Sequence, residues 1–308
     1  MTVAFVTVEK VSKWYGQVIG LNEVSLELHP GVVGLLGPNG SGKSTLMKLI
    51  TGQLRPDKGE VKVFGEPIWN NYPLYRRIGF CPEQDAFYER MTGRQFLISL
   101  ALLQGLDPQP AAQKAAEVLE RLFLSDAADK MIAGYSKGMR QRVKLGQALL
   151  HDPELLLLDE PLSGMDPFGR TKIIRLVREL GRQGKMVLVS SHILHEVEVM
   201  TNEILLIHQG RILAEGNVHT IRELIDQHPH RIFLRCSEYR RLASVMFQYE
   251  DVISARLIPE EQALEVETRQ PDNFYGRLPA FLEKHGFAVE ELSSPDDNLQ
   301  SVFQYLVK

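Results

Sequence analysis

Apolar and polar positions along this chain fall into two periodicities. Val24-Ser25-Leu26-Glu27-Leu28 alternates strictly, the pattern of a half-exposed strand. Glu60-Val61-Lys62-Val63-Phe64-Gly65 does the same and stops at a glycine, and Ala4-Phe5-Val6-Thr7-Val8-Glu9 has strand composition ahead of a turn at Trp14-Tyr15-Gly16. Other runs are continuously apolar. Val32-Val33-Gly34-Leu35-Leu36, Leu155-Leu156-Leu157-Leu158, Met186-Val187-Leu188-Val189-Ser190 and Ile204-Leu205-Leu206-Ile207 read as buried strands, and Arg77–Pro82 as a short one closed by proline. Helical spacing appears at Leu46–Ile50, with Gly52 as a stop. It appears again across residues 94–134, broken at Asp107-Pro108 and near Leu124-Ser125. Asp166-Pro167 is a cap followed by a first helical position, and Ile173, Ile174, Val177 and Leu180 form the apolar face behind it. The pattern predicts a wound α/β sheet with a helical insert over about residues 85–150.

The composition shifts near residue 226. Gln227-His228-Pro229-His230 is a polar joint, and beyond it the pattern predicts strand 231–236, helix 238–248, strands 252–258 and 263–268, helix 273–285 and strand 288–293. The order βαββαβ is that of a ferredoxin-like unit. Two domains are therefore expected, 1–226 and 227–308. With 308 residues, 44% hydrophobic and 24% charged, the chain has an ordinary globular composition. A net charge of −4 provides no basic field to recruit nucleic acid. The only cysteines, Cys81 and Cys236, form no disulfide framework, which fits a reducing cytosol. No signal peptide is expected at Met1-Thr2-Val3-Ala4, and no apolar run approaches the roughly 18 residues of a membrane span.

Chemistry first appears at Gly37-Pro38-Asn39-Gly40-Ser41-Gly42-Lys43-Ser44-Thr45, where Gly37, Gly42, Lys43 and Ser44 fit Gly-x-x-x-x-Gly-Lys-[Ser/Thr] between a strand and a helix. Glycines let successive N–H groups curl around an anion, and the helix N-terminus adds positive charge. Lys43 can reach the β- and γ-phosphates of a bound nucleotide, and Ser44 can offer its hydroxyl to Mg²⁺. The run Leu155–Leu158 then delivers Asp159 and Glu160 at a strand's C-terminal end, where open α/β sheets bind ligands. Asp159 suits Mg²⁺, and Glu160 suits polarising the water that attacks the γ-phosphate. Tyr135-Ser136-Lys137-Gly138-Met139, just ahead of a helix, can hold an anion through a hydroxyl and free N–H groups.

Taken in order across residues 1–220, these motifs resemble the nucleotide-binding subunit of an ABC transporter: phosphate loop, Q-loop, signature, Walker B with a glutamate, D-loop and H-loop. The resemblance implies a P-loop NTPase core of ABC type. It places Tyr15 on adenine, and matches Ser136 and Gly138 to the signature serine and second glycine. Lys137 and Met139 replace the family's glycine and glutamine, a form similar to that of the branch pairing with ABC-2 type permeases. Ser163-Gly164-Met165-Asp166 resembles the D-loop, and His192 the H-loop residue that contacts the γ-phosphate. The family's Q-loop glutamine follows the strand-ending proline directly, whereas here Pro82 is followed by Glu83 and then Gln84. Either can approach Mg²⁺ and the attacking water; Gln84 is preferred. The resemblance further implies head-to-tail pairing of two ATP-binding subunits, each ATP lying between Lys43 of one and Ser136 of the other. It also implies a permease docking near Asp85-Ala86-Phe87-Tyr88, peripheral attachment to the inner membrane face, and a short terminal helix at Asn298–Phe303.

Overall fold

The computed structural model describes residues 4–217 and 230–294. The chain divides into two compact units, Met1–Asn217 and Val218–Lys308. Most of the Gln227–His230 joint, and the expected terminal helix, lie outside the described residues.

The first unit is built on a six-stranded sheet in the order β10-β9-β3-β8-β7-β6. Its strands are β3 (Gly31–Leu36), β6 (Ile78–Cys81), β7 (Leu155–Leu158), β8 (Met186–Ser191), β9 (Glu203–His208) and β10 (Arg211–Asn217). The pairs among β6, β7, β8, β3 and β9 are parallel, and β10 adds an antiparallel edge. All four leucines of β7 are buried, because successive side chains point to opposite faces and both faces are covered. Leu155 and Leu157 join a core with α1 (Lys43–Ile50) and a second sheet. Leu156 and Leu158 join the other core, formed with α3 (Gly93–Leu103), α4 (Pro108–Arg121), α5 (Lys137–Leu149) and α6 (Pro167–Arg182).

The second sheet is antiparallel, β2-β1-β4-β5, from β1 (Val6–Tyr15), β2 (Val18–Leu28), β4 (Lys58–Val63) and β5 (Glu66–Pro67). Here the expected turn at Trp14-Tyr15-Gly16 is corrected. β1 continues through Trp14 and Tyr15, which pair with Ile19 and Val18, and the turn is Gly16-Gln17. A register shift after Val8, with Lys10 at φ 47, carries the strand past the point where its alternation fails.

The insert is less continuously helical than its periodicity suggests. Thr92 caps α3 with a reciprocal bond to Gln95, and Gly105 (φ 91) precedes the start of α4. Residues 125–127 and 132–134 form only single 3₁₀ turns. Cys81 is fully enclosed at the end of β6, and burial pushes its thiol up to about 12.

The second unit contains β11 (His230–Arg235), α8 (Tyr239–Met246), β12 (Val252–Ile258), β13 (Ala263–Thr268), α9 (Pro271–His285) and β14 (Glu291–Ser293). Its antiparallel sheet runs β12-β13-β11-β14, the ferredoxin-like arrangement expected from the element order. Ile232, Leu234, Leu242, Met246, Leu264, Val266, Phe274 and Leu278 form its core.

Candidate functional site

Strands β3, β6, β7 and β8 run parallel, so the segments that follow them leave from one edge of the sheet. That edge carries the phosphate loop, Glu83-Gln84, Asp159-Glu160 and His192. Within the loop, Ser41 N donates to Pro38 O at 3.2 Å. Two glycines are required by close approach. A Cβ on Gly37 would stand 2.4 Å from the Ile207 carbonyl oxygen, and one on Gly42, at φ 112, 2.8 Å from that of Gly20. Gly40 faces open space.

Lys43 opens α1 and folds back over its own loop. Its Nζ donates to Gly37 O at 2.7 Å and to Pro38 O at 3.2 Å, and lies 3.9 Å from Glu160 Oε1. Burial holds the Lys43 pKa below its usual value, opposed by the charges of Glu160, Asp159 and Glu83. Glu160 takes a left-handed backbone, φ 48. Its N–H donates to Ser190 Oγ at 2.9 Å, its carbonyl accepts from Gln141 Nε2 at 3.1 Å, and the Ser190 hydroxyl donates to the Asp159 carboxylate. The Glu160 carboxyl oxygens lie 3.0 and 3.1 Å from His192 Nδ1. Burial pushes the Glu160 carboxyl above the ordinary carboxylate range, while His192 and Lys43 pull it back.

Tyr15 is 47% exposed, its hydroxyl 3.3 Å from that of Thr45. With Val18, Ile19 and Gly20 it forms one wall of a cleft of ≈ 440 Å³, whose other lining residues are Asn39, Gly40, Gly42, Lys43, Ser44, Thr45, Glu83, Asp159 and Glu160. A larger open depression, ≈ 1680 Å³, is lined by β1, β2 and residues 29–33 and contains neither Lys43 nor the two carboxylates. Size is therefore a poor guide to the site, and the smaller cleft holds the chemistry.

The structure brings most of the expected residues together and leaves others apart. Glu83, not the preferred Gln84, lines the cleft; Gln84 is exposed beyond its wall. Ser136 caps α5, accepting from Met139 N at 3.2 Å, and Asp166 caps α6, accepting from Gly169 N at 3.3 Å. Neither they nor Gly138 line the cleft. Ser190 and Gln141, which hold the Asp159-Glu160 backbone, escaped the sequence reading. A serine two residues before His192 and a glutamine inside a helix give no signal of a shared contact.

The ring of donors suits a triphosphate. Within the loop the backbone turns with Gly40 at φ 78 and Gly42 at φ 112, and buried Ser41 Oγ packs beside Gly37 without a hydrogen-bond partner. Among the described residues no cluster of three or more His, Cys, Asp or Glu could hold a metal. Ser44 and Asp159 give one hydroxyl and one carboxylate. That sparse set fits Mg²⁺, which binds through one or two carboxylates plus phosphates and keeps several waters.

The ABC transporter family matches residues 21–163. Over 218 residues the chain is 38% identical to an uncharacterized ABC transporter ATP-binding protein, YxlF, of Bacillus subtilis, covering 70% of this chain and 72% of that one. The chain belongs to the ABC transporter ATP-binding proteins. As a member of that family it binds and hydrolyses ATP. A daunorubicin/doxorubicin resistance ATP-binding protein, DrrA, of Streptomyces peucetius is 30% identical over 293 residues, 94% of this chain and 88% of that one. That alignment reaches into the C-terminal unit. A solved ATP-binding subunit of an ABC transporter superposes with a TM-score of 0.65 at 29% identity, covering 72% of this ABC protein and 93% of that chain.

Proposed function

We propose that this chain is the subunit that powers an export permease of ABC-2 type, pairing head to tail with a second ATP-binding subunit around two ATP molecules. The observation that carries the reading is a division of parts. Lys43, Ser44, Asp159, Glu160 and His192 gather around one cleft or its rim, while Ser136, Gly138 and Asp166 stand outside it with Ser136 and Asp166 exposed at helix starts. A hydroxyl and N–H groups at the start of α5 are ready for an anion that its own cleft cannot deliver. A second subunit resolves the mismatch.

In this reading Tyr15 carries the adenine, and the backbone from Gly37 through Thr45 cradles the phosphates. Lys43 neutralises the β- and γ-phosphates. Ser44 and Asp159 would hold Mg²⁺, with Glu83 or Gln84 near it, and the ion would supply charge neutralisation on the phosphate oxygens. Glu160 orients the attacking water and takes its proton, and His192, hydrogen-bonded to Glu160, faces the γ-phosphate. Export is supported by the resistance named in the Streptomyces relative; the substrate path belongs to the permease. No described helix is long and apolar enough to cross a membrane, so the chain reaches the inner face through its partner, at Asp85–Tyr88.

The reading is tested by extracting the tagged chain from native membranes in detergent and identifying what accompanies it at high salt. An integral membrane protein is expected, together with ATPase activity that Lys43→Ala abolishes. Recovery with ribosomes or nucleic acid alone would overturn it.

A further inference from the structure

A buried cation on α5 has no part in the chemistry above. Lys144 is 2% exposed, and its ammonium donates to the Glu83 carbonyl and lies 2.9 Å from Asp85 Oδ1. One turn earlier, Arg140 Nη1 donates to Glu89 Oε1 at 2.9 Å. Residues four apart share a helix face, so one face of α5 clamps both ends of segment 83–89. Ala133 N also donates to Glu89 O at 3.0 Å. Lys144 is an expensive way to fill this space. An apolar chain of the same length would pack there without desolvating a charge. What the ammonium adds is a fixed position for the Glu83 carbonyl, and Glu83 is the residue of this segment that lines the cleft with Lys43.

We propose that Lys144 is a positioning residue of the ATPase: it seats Glu83 in the cleft wall and makes segment 83–89 move as one body with the helix that begins at Ser136. The inference rests on the proposed role of Ser136 at the ATP of a second subunit. The segment between the two clamps is the one assigned to the permease, so a shift of α5 on pairing reaches both the cleft wall and the docking surface.

The test is steady-state hydrolysis and equilibrium ATP binding by the full chain. Lys144→Met should lower kcat about tenfold, since small misplacements of a catalytic wall cost up to about 10²-fold, and leave ATP affinity within about twofold. Lys144→Arg should restore most of the rate. In a Glu83→Ala background, which keeps the carbonyl but removes the side chain it positions, Lys144→Met should add less than about a further twofold, because the effect on rate runs through the Glu83 side chain. A Lys144→Met rate within about twofold of wild type overturns the proposal. So does a tenfold loss that persists undiminished without the Glu83 side chain, the mark of a general packing role. If Lys144→Met does not fold, half-exposed Asp85→Asn decides: a lower kcat in the wild-type background and none in Glu83→Ala supports the proposal, and no effect in either overturns it. Wild type that hydrolyses ATP without pairing would remove the Ser136 reading while these rate comparisons still judge the Glu83 contact.

Discussion

The two units treat polar side chains differently. Among the described residues, the first buries Lys43, Lys144, Asp159, Glu160, Gln141, Ser12, Ser41, Thr51, Ser190 and Ser191, whereas the C-terminal unit buries only Thr268. Arg235 of the C-terminal sheet stays partly exposed and pairs with Glu291 at 3.0 Å and Glu261 at 3.5 Å, where such pairs contribute about 0–1 kcal/mol. Burying an ion weakens a fold unless its partners compensate. The first unit accepts that cost around one cleft, and the second is built almost wholly for packing. The contrast separates the part of the chain that buries charged groups from the part whose described charged residues stay at least partly exposed.

The sharpest way to break this contrast is Glu160→Gln. Size and one acceptor oxygen are kept while the negative charge is lost. The chemical step should slow by roughly 10²–10⁴-fold, ATP should still bind, and an ATP-bound pair should accumulate on size-exclusion chromatography. Normal turnover by this variant would remove Glu160 from the mechanism. The wild-type rate should fall on acidification with a midpoint above the ordinary carboxylate value of 4.5, because burial raises the Glu160 pKa; an acid limb at or below that value would count against Glu160 as the base.

Ser136→Arg should abolish the ATP-dependent pair yet leave ATP affinity of the isolated chain within about twofold, as measured by titration calorimetry. Equal loss of both would put Ser136 in its own cleft. Tyr15→Ala should weaken ATP binding by about two- to tenfold, the scale of about 0.5–1.5 kcal/mol for an aromatic stacking contact.

Stability should move the other way. Glu160, with its pKa raised in the fold, contributes stability below pH 4.5 that is lost as pH rises through the folded value; Lys43, lowered from 10.5, contributes stability above that pH that is lost as pH falls. At neutral pH both groups therefore weigh against the fold. The double variant Lys43→Met/Glu160→Gln should melt higher than wild type at pH 7, by roughly 2–4 °C per kcal/mol regained, and calorimetry should show the gain shrinking at acid pH. The smallest effect is expected from ending the chain after Asn217. ATP affinity should hold within about twofold, and an insoluble product would show that the first unit depends on the second.

Much of this was legible in the sequence because the signals are local. Residues 37–45 and 155–160 specify their own backbone, and a four-leucine run has no other home than a sheet covered on both faces. What the sequence concealed lies in long-range registration. The antiparallel sheet depends on Tyr15 pairing with Val18 and on β1 meeting β4, and a bulge near Lys10 hides that continuity. The Q-loop shows the same limit. Glu83 and Gln84 are neighbours of similar length, and Glu83, which lines the cleft, has its carbonyl bonded to Lys144, sixty-one residues away. Ser190 bridges Asp159 and Glu160 only because β7 and β8 are adjacent.

The enclosure of Cys81 has a practical reach. Alkylating dyes attack the thiolate, and a thiol titrating at about 12 offers roughly one part in 10⁵ of that form at neutral pH. Cys236, the other cysteine, is 1% exposed. The native chain should thus be nearly silent to maleimides without removal of either residue. A single cysteine introduced at exposed Ala112 on α4, away from the cleft and from Ser136, would carry a donor fluorophore in one preparation and an acceptor in another. Mixing the two with ATP would turn head-to-tail pairing into an energy-transfer signal between labels.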